Sequence, residues 1–246
     1  MRRAIGMFVM CVVGCGDAEE DGVEAEAEAE AEAESEAEAE SESEGEAGPA
    51  IFVYDQDAET AAIFAALFPA GAVLPLSIDD ALARADVAPL VLIGPDAAAA
   101  ADDAEALAAL GERRLGMGEG GKAFFDALGS SLASSVCGEV GAIGVADVDH
   151  PIFESIAPDA GEAEGGFPLM RLFATDAVFD CGVTNATPGV TFLAWDYRYA
   201  GQFADIAFDG DDWWWGFGDA VSGAPEDMTD TGRRVLRQLV EFLVDG

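Results

Sequence analysis

The sequence predicts an α/β domain, doubly wound in its first half, with a mainly parallel central sheet and extra antiparallel strands in its second half. Three observations carry that prediction. Short apolar runs alternate with amphipathic or Ala-rich stretches between Ile51 and Met117. A glycine-rich turn then leads straight into a helical pattern, and from Val136 onward strand-like pieces dominate until one closing helix.

Ile51 to Tyr54 is an apolar run ending at Asp55 and reads as a buried strand. Residues 58–68 have helical spacing in Ile63, Phe64, Leu67 and Phe68. Residues 73–76 form a second strand, after which Ser77 can cap a helix over 78–85. The apolar run 90–93 lies between Pro89 and Gly94-Pro95 and is the clearest strand of all. An Ala-rich helix over 97–110 follows, then a strand over 113–117. In the second half, strands are predicted at 140–145, 170–174, 177–181, 191–196, 204–208 and 213–217. Val235, Leu236, Leu239, Val240 and Leu243 fall on one face of a closing helix over 230–244, with Thr229 as its cap.

The segment before this domain reads differently. Met1-Arg2-Arg3 and the apolar stretch to Gly14 form a secretory signal, too short to span a bilayer. Val12-Val13-Gly14-Cys15 resembles the lipobox of bacterial lipoproteins. That resemblance implies cleavage after Gly14 (signal peptide 1–14), lipid on Cys15 and a membrane anchor there; the plain alternative is a signal cleaved elsewhere. Gly16, not Asp, follows Cys15, which by the enteric sorting rule points to the outer membrane of the cell envelope. The remainder of 15–50 is largely alternating Glu and Ala. Glu at i and i+4 repel one another and no apolar face exists, so the stretch reads as a disordered acidic linker.

The chain carries 49 acidic and 11 basic residues, for a net charge of −38. Sixteen of the acids lie in the linker, leaving 33 acids and nine basic residues for residues 51–246. Lys122 is the only lysine. A surface of this sign repels phosphate, which excludes nucleic acid as a partner. It suits a saline habitat, where screening weakens self-repulsion, or reflects a GC-rich genome favouring Ala, Gly and Asp. Once Cys11 leaves with the signal and Cys15 is lipidated, Cys137 and Cys181 remain. Outside the cytoplasm these are either a disulfide or two separate thiols.

Leu115-Gly116-Met117-Gly118-Glu119-Gly120-Gly121, leading into 122–128, has the form of a strand-turn-helix elbow that displays a nucleophile. Taken with Gly120-Gly121-Lys122-Ala123-Phe124-Phe125, His150-Pro151-Ile152-Phe153, Trp215-Gly216-Phe217-Gly218 and Met228-Thr229-Asp230-Thr231-Gly232, it resembles the class I glutamine amidotransferase-like superfamily in its divergent branches. The resemblance covers most of 51–246 and implies a flavodoxin-like three-layer sandwich. In catalytic members it implies a cysteine at the elbow, activated by a later histidine and an acid. Here the tip falls at Gly118 or Glu119, and the late strand reads Trp215-Gly216-Phe217-Gly218-Asp219, without histidine. The lone His150 falls where the family has a structural turn.

Glu119 is the one catalytic candidate left, as a base or ligand at a helix start, against the plain reading of a carboxylate stabilised by the helix dipole. Gly118, Glu119, Gly120 and Gly121 could receive an anion if their amides are free. Asp209, Asp211 and Asp212 are calcium candidates or a solvated hairpin turn, since the spaced-ligand loop is incomplete. Trp195, Tyr197, Tyr199 and Trp213 to Trp215 could make a sugar platform, but alternation puts Trp213 and Trp215 on one face and Trp214 on the other, as core packing requires. No cofactor motif is present. The sequence thus predicts a tethered, non-catalytic domain that binds or scaffolds an envelope protein or a carbohydrate. The rival is an enzyme using Glu119, Asp55 and a metal, for example on a sugar-related substrate.

Overall fold

The computed structural model describes residues 51–55, 65–68, 72–97, 101–133, 135–218, 222–223 and 227–246. All of them belong to the second of the two units into which the chain divides, Gly45–Gly246. The signal, Cys15 and the acidic linker lie outside the described residues, as does most of the helix expected over 58–68, of which Ala65 and Ala66 are helical.

Eleven strands are described: β1 (Ile51–Tyr54), β2 (Val73–Leu76), β3 (Ala88–Ile93), β4 (Gly111–Met117), β5 (Ser135–Glu139), β6 (Ala142–Val145), β7 (Leu169–Arg171), β8 (Phe179–Thr184), β9 (Thr191–Asp196), β10 (Phe203–Asp209) and β11 (Asp212–Trp215). The main path of the sheet is β2-β1-β3-β4-β11-β10-β9-β6-β7, and β8 pairs with β10 and β5 off that path. Strands β2, β1, β3, β4 and β11 are mutually parallel. With β11 in fifth place, this is the flavodoxin-like order. The remaining pairings are antiparallel.

Apolar residues on the two faces of the sheet form two cores. On one face, α1 (Ile78–Ala83), α2 (Ala104–Ala108) and α3 (Gly118–Leu128) cover Phe52, Val91, Ile93 and Trp214 with Ala81, Leu107, Phe124 and Phe125. On the other, α4 (Asp230–Asp245) lays Val235, Leu236, Leu239, Val240 and Leu243 over Leu90, Leu92, Leu115, Trp213 and Trp215. The mainly parallel α/β fold predicted from alternation, and the three-layer sandwich that the resemblance implies, are therefore the observed architecture.

Element ends follow local chemistry. Ser77 Oγ accepts from the Asp80 amide at 3.1 Å and starts α1. Thr229 Oγ1 accepts from the Gly232 amide at 3.0 Å and donates to the Arg171 carbonyl at 2.8 Å, so one hydroxyl caps α4 and pins it to β7. Arg234 and Gln238 donate to the Ser155 and Glu154 carbonyls, each at 3.0 Å, fastening the outer face of α4 to the loop before β7.

Two predictions of extent need correction. Of the Ala-rich helix expected over 97–110, the described residues are α-helical over α2, which starts after Asp103 in non-helical geometry at φ −122°, while 98–100 lie outside the described residues. The strand expected over 140–145 is confined to β6, and β5, which lies just before it, was not predicted. Val140 and Gly141 turn the chain between them, with the Val140 amide donating to the Val178 carbonyl at 2.8 Å.

Replacing Thr229 by Ala removes both functions of its hydroxyl. Thr229→Ala is expected to lower unfolding free energy by about 1–2 kcal/mol, read from urea denaturation at constant m-value.

Candidate functional site

Strand β4 ends at Met117, and α3 begins at once with Gly118 at φ +48°. A residue in that conformation projects its side chain away from the strand, and this is where an elbow nucleophile stands. The space is occupied. A Cβ built on Gly118 would lie 1.9 Å from the Gly218 carbonyl oxygen and 3.1 Å from that of Phe217. The short segment Gly216–Gly218 that continues β11 thus passes directly over the elbow, with backbone where a catalytic side chain would be.

The helix amides are engaged too. The Glu119 amide donates to the Gly218 carbonyl at 3.2 Å, and the Gly120 amide donates to the Pro95 carbonyl at 2.8 Å. Gly120 is packed so closely on the turn after β3 that a Cβ there would approach the Gly94 carbonyl oxygen to 2.2 Å. The sequence left these amides open to an anion. In the structure, two of them are spent on neighbouring turns.

Glu119 itself is exposed in the first turn of α3, whereas Asp55 is buried at the end of β1 against Gly94. One carboxylate lies in solvent and the other is buried at the end of β1. His150 Nδ1 accepts from the Ile152 amide at 3.4 Å and caps the 3-10 turn Pro151–Phe153, its ring packed edge-on to Phe242. Burial holds its pKa below the ordinary histidine value, against a smaller opposing pull from Asp147. The imidazole is a neutral acceptor in a turn.

Asp209 and Asp212 face each other across the hairpin between β10 and β11, with Gly210 at φ +61° in the turn and Asp211 exposed. Asp209 accepts from Ser131 Oγ at 2.8 Å, and Asp212 pairs with Arg114. Among the described residues no group of three or more His, Cys, Asp or Glu side chains is placed to hold a metal ion. Trp195, Trp213, Trp214 and Trp215 are all buried. Trp213 stacks on Phe208 with ring centroids 4.4 Å apart, and Trp214 Nε1 donates to the Cys181 carbonyl at 2.8 Å. Of the six aromatics considered for a platform, only Tyr199 is substantially exposed, at 48%. Cys137 and Cys181 are direct cross-strand partners in β5 and β8 and are joined by a disulfide.

Sequence reasoning missed a cluster of buried acids beside the elbow. Asp180 in β8, Asp205 in β10 and Asp196 in β9 are all buried, Asp205 completely. Asp205 sits at a β-bulge: Ala204 pairs with Trp195 and Ile206 with Ala194, so Asp205 has no partner across the ladder. Burial pushes the Asp180 and Asp205 carboxyls well above the usual carboxylate range, and the charge of Asp196 pushes both the same way. The available signal was a single Asp inside each of two otherwise apolar strands, Phe-Asp-Cys-Gly-Val and Phe-Ala-Asp-Ile-Ala-Phe.

No protein-family model matches the chain, and no curated protein matches it. Among solved structures it is similar to a glutamine amidotransferase of Thermotoga maritima, at 12% identity and TM-score 0.48, covering 80% of this chain and 98% of that one. A GMP synthase subunit of Thermoplasma acidophilum is similar at 13% identity and TM-score 0.46, covering 80% and 94%. PurLQS from Thermotoga maritima gives 14% identity and TM-score 0.44, covering 80% and 100%.

The filled elbow predicts a sharp contrast between neighbours. Gly118→Ala combines positive φ with a backbone clash and is expected to cost more than about 2 kcal/mol. Glu119→Gln, in solvent, should stay within about 0.5 kcal/mol of wild type in the same denaturation experiment.

Proposed function

We propose that this protein is an exported lipoprotein, anchored to the bacterial envelope through Cys15. Its acidic linker holds a non-catalytic, amidotransferase-like domain off the membrane for binding or scaffolding. The observation that carries the non-catalytic reading is the Gly218 carbonyl in the place of a side chain on Gly118. Elbow catalysis requires a nucleophile, a base within hydrogen-bond reach and free donors for the developing oxyanion. Gly118 offers no nucleophile, the chain's lone histidine caps a turn, and the Glu119 and Gly120 amides already donate to backbone carbonyls.

Anchoring is supported by the sequence pattern from Met1 to Gly16 and by an acidic, Ala-rich spacer of roughly 35 residues, whose ends as a flexible coil would stand about 30–35 Å apart. Of the two partner classes, an envelope protein fits better than a sugar. The tryptophans that would stack on a sugar ring are consumed by the two cores.

Two measurements test the reading. Metabolic labelling with a fatty-acid analogue should label the wild-type chain and send it into the detergent phase, while Cys15→Ser stays unlabelled and aqueous. An unlabelled wild type would overturn the anchor. Incubation of the purified protein with glutamine should release no ammonia above buffer. Release that is lost in Glu119→Gln would overturn the non-catalytic reading and leave the anchor standing.

A further inference from the structure

The segment that closes the elbow is fastened to the strands that carry the buried acids. The Gly216 amide donates to the Asp205 carbonyl at 2.8 Å, and the Cys181 amide donates to the Gly216 carbonyl at 2.9 Å. The Gly218 amide donates to the Phe179 carbonyl at 2.9 Å, and the Gly218 carbonyl then receives the Glu119 amide. Asp180 lies directly against this strap: a Cβ on Gly216 would come within 2.5 Å of Asp180 Oδ1 and 3.3 Å of the Asp205 Cα. Only a glycine lets the strap pass over the two carboxyls.

Asp180 Oδ1 and both oxygens of Asp205 are buried and receive no hydrogen bond from any ordinary donor. Two ionised carboxylates cannot sit together in so dry a place, so the pair must hold a proton. Burial is the largest cause of the rise on both carboxyls, and the proton belongs to the pair as a unit. The other charged groups that face the pair are Asp196 from β9 and Arg198 from the turn after it. Asp196 repels a second negative charge, and Arg198, which pairs with Asp196 at 3.5 Å, partly offsets this. The strap contributes Gly216 and no titratable group, and across β5 stands the disulfide-bonded Cys137.

We propose that Asp180 and Asp205 form a proton-operated catch: sharing one proton, they let Gly216–Gly218 lie over the elbow, and once both are ionised they drive the strap off it. The sign follows from linkage. The closed state holds a proton that the opened, hydrated pair gives up, so closure is favoured at low pH and lost as pH rises through the raised carboxyl value. One proton released on opening makes the opening constant rise about tenfold per pH unit.

Hydrogen exchange on the full chain, corrected for intrinsic rates and run from pH 5 to 9, reads this directly. Protection of the Glu119, Cys181, Gly216 and Gly218 amides is expected to fall by up to about tenfold per pH unit between the ordinary carboxylate range and the raised value of the pair, while β3 amides such as Leu92 hold theirs. Asp205→Asn keeps a donor but cannot ionise, and should remove the slope. Asp196→Asn removes a repelling charge, brings the raised carboxyl value down and should shrink the total loss of protection. Protection of the four amides that does not change with pH overturns the proposal, as does a loss shared equally by Leu92. A slope unaltered in both variants overturns it too, and so does protection set by added sodium or calcium instead of pH, which would put a cation where the proton is placed.

Discussion

The parallel pairing of β11 with β4 is the contact on which the rest of the domain depends. Trp213, Trp214 and Trp215 lie beside Leu115, Gly116 and Met117, and β11 then turns its other edge to antiparallel β10. One strand therefore joins a flavodoxin-like parallel half to an antiparallel half. Its tryptophans feed both cores at once, Trp213 and Trp215 toward α4 and Trp214 toward α3. Burying three indoles on alternate faces fixes the register, because a shift of one residue would exchange the faces and leave two rings without a cavity. The same register determines where the chain goes next. Having ended level with Met117, it runs on across the start of α3.

That course decides the chemistry of the elbow. In a strand-turn-helix motif the positive φ at the tip is useful because it presents a side chain above the sheet. Here Gly118 keeps the conformation, and the carbonyl of Gly218 takes the position of that side chain. Glycine is then required twice over, by φ and by contact, and the helix amide of Glu119 is satisfied by the very group that fills the site. Packing has converted a display geometry into a structural joint.

Much of the fold was legible in the sequence because it rests on local periodicity. Leu90 to Ile93, Thr191 to Asp196 and the amphipathic stripe of α4 are continuous patterns bounded by Pro, Gly or a capping Thr, and each appears within a residue or two of its predicted place. The elbow was legible for the same reason, since Gly116 to Gly121 is a local signature. What fills it was not. The strap comes from about 100 residues later in the chain, and the contact between Gly118 and Gly218 is created by sheet order alone. Asp205 was hidden by another non-local feature: a bulge breaks strand alternation and directs its carboxyl inward, so no pattern of period two could place it. The pairing of Cys137 with Cys181 likewise depends on β5 lying against β8.

A buried acid pair is costly in a domain that already carries 33 acids against nine basic residues, and its surroundings show how the cost is contained. The neighbouring strands supply an apolar shell that excludes water, Arg198 balances Asp196 at the rim, and the Cys137–Cys181 bond ties β8 in place next to Asp180. Each device keeps the carboxyls together and their charge low. Replacing the pair by apolar residues of similar size would be the simpler way to stabilise a core, since buried polar groups seldom add net stability. A carboxyl pair is the better choice where the strap must be held under one condition and freed under another. The same carbonyl that closes the elbow is then fastened beside a part of the core whose charge can change.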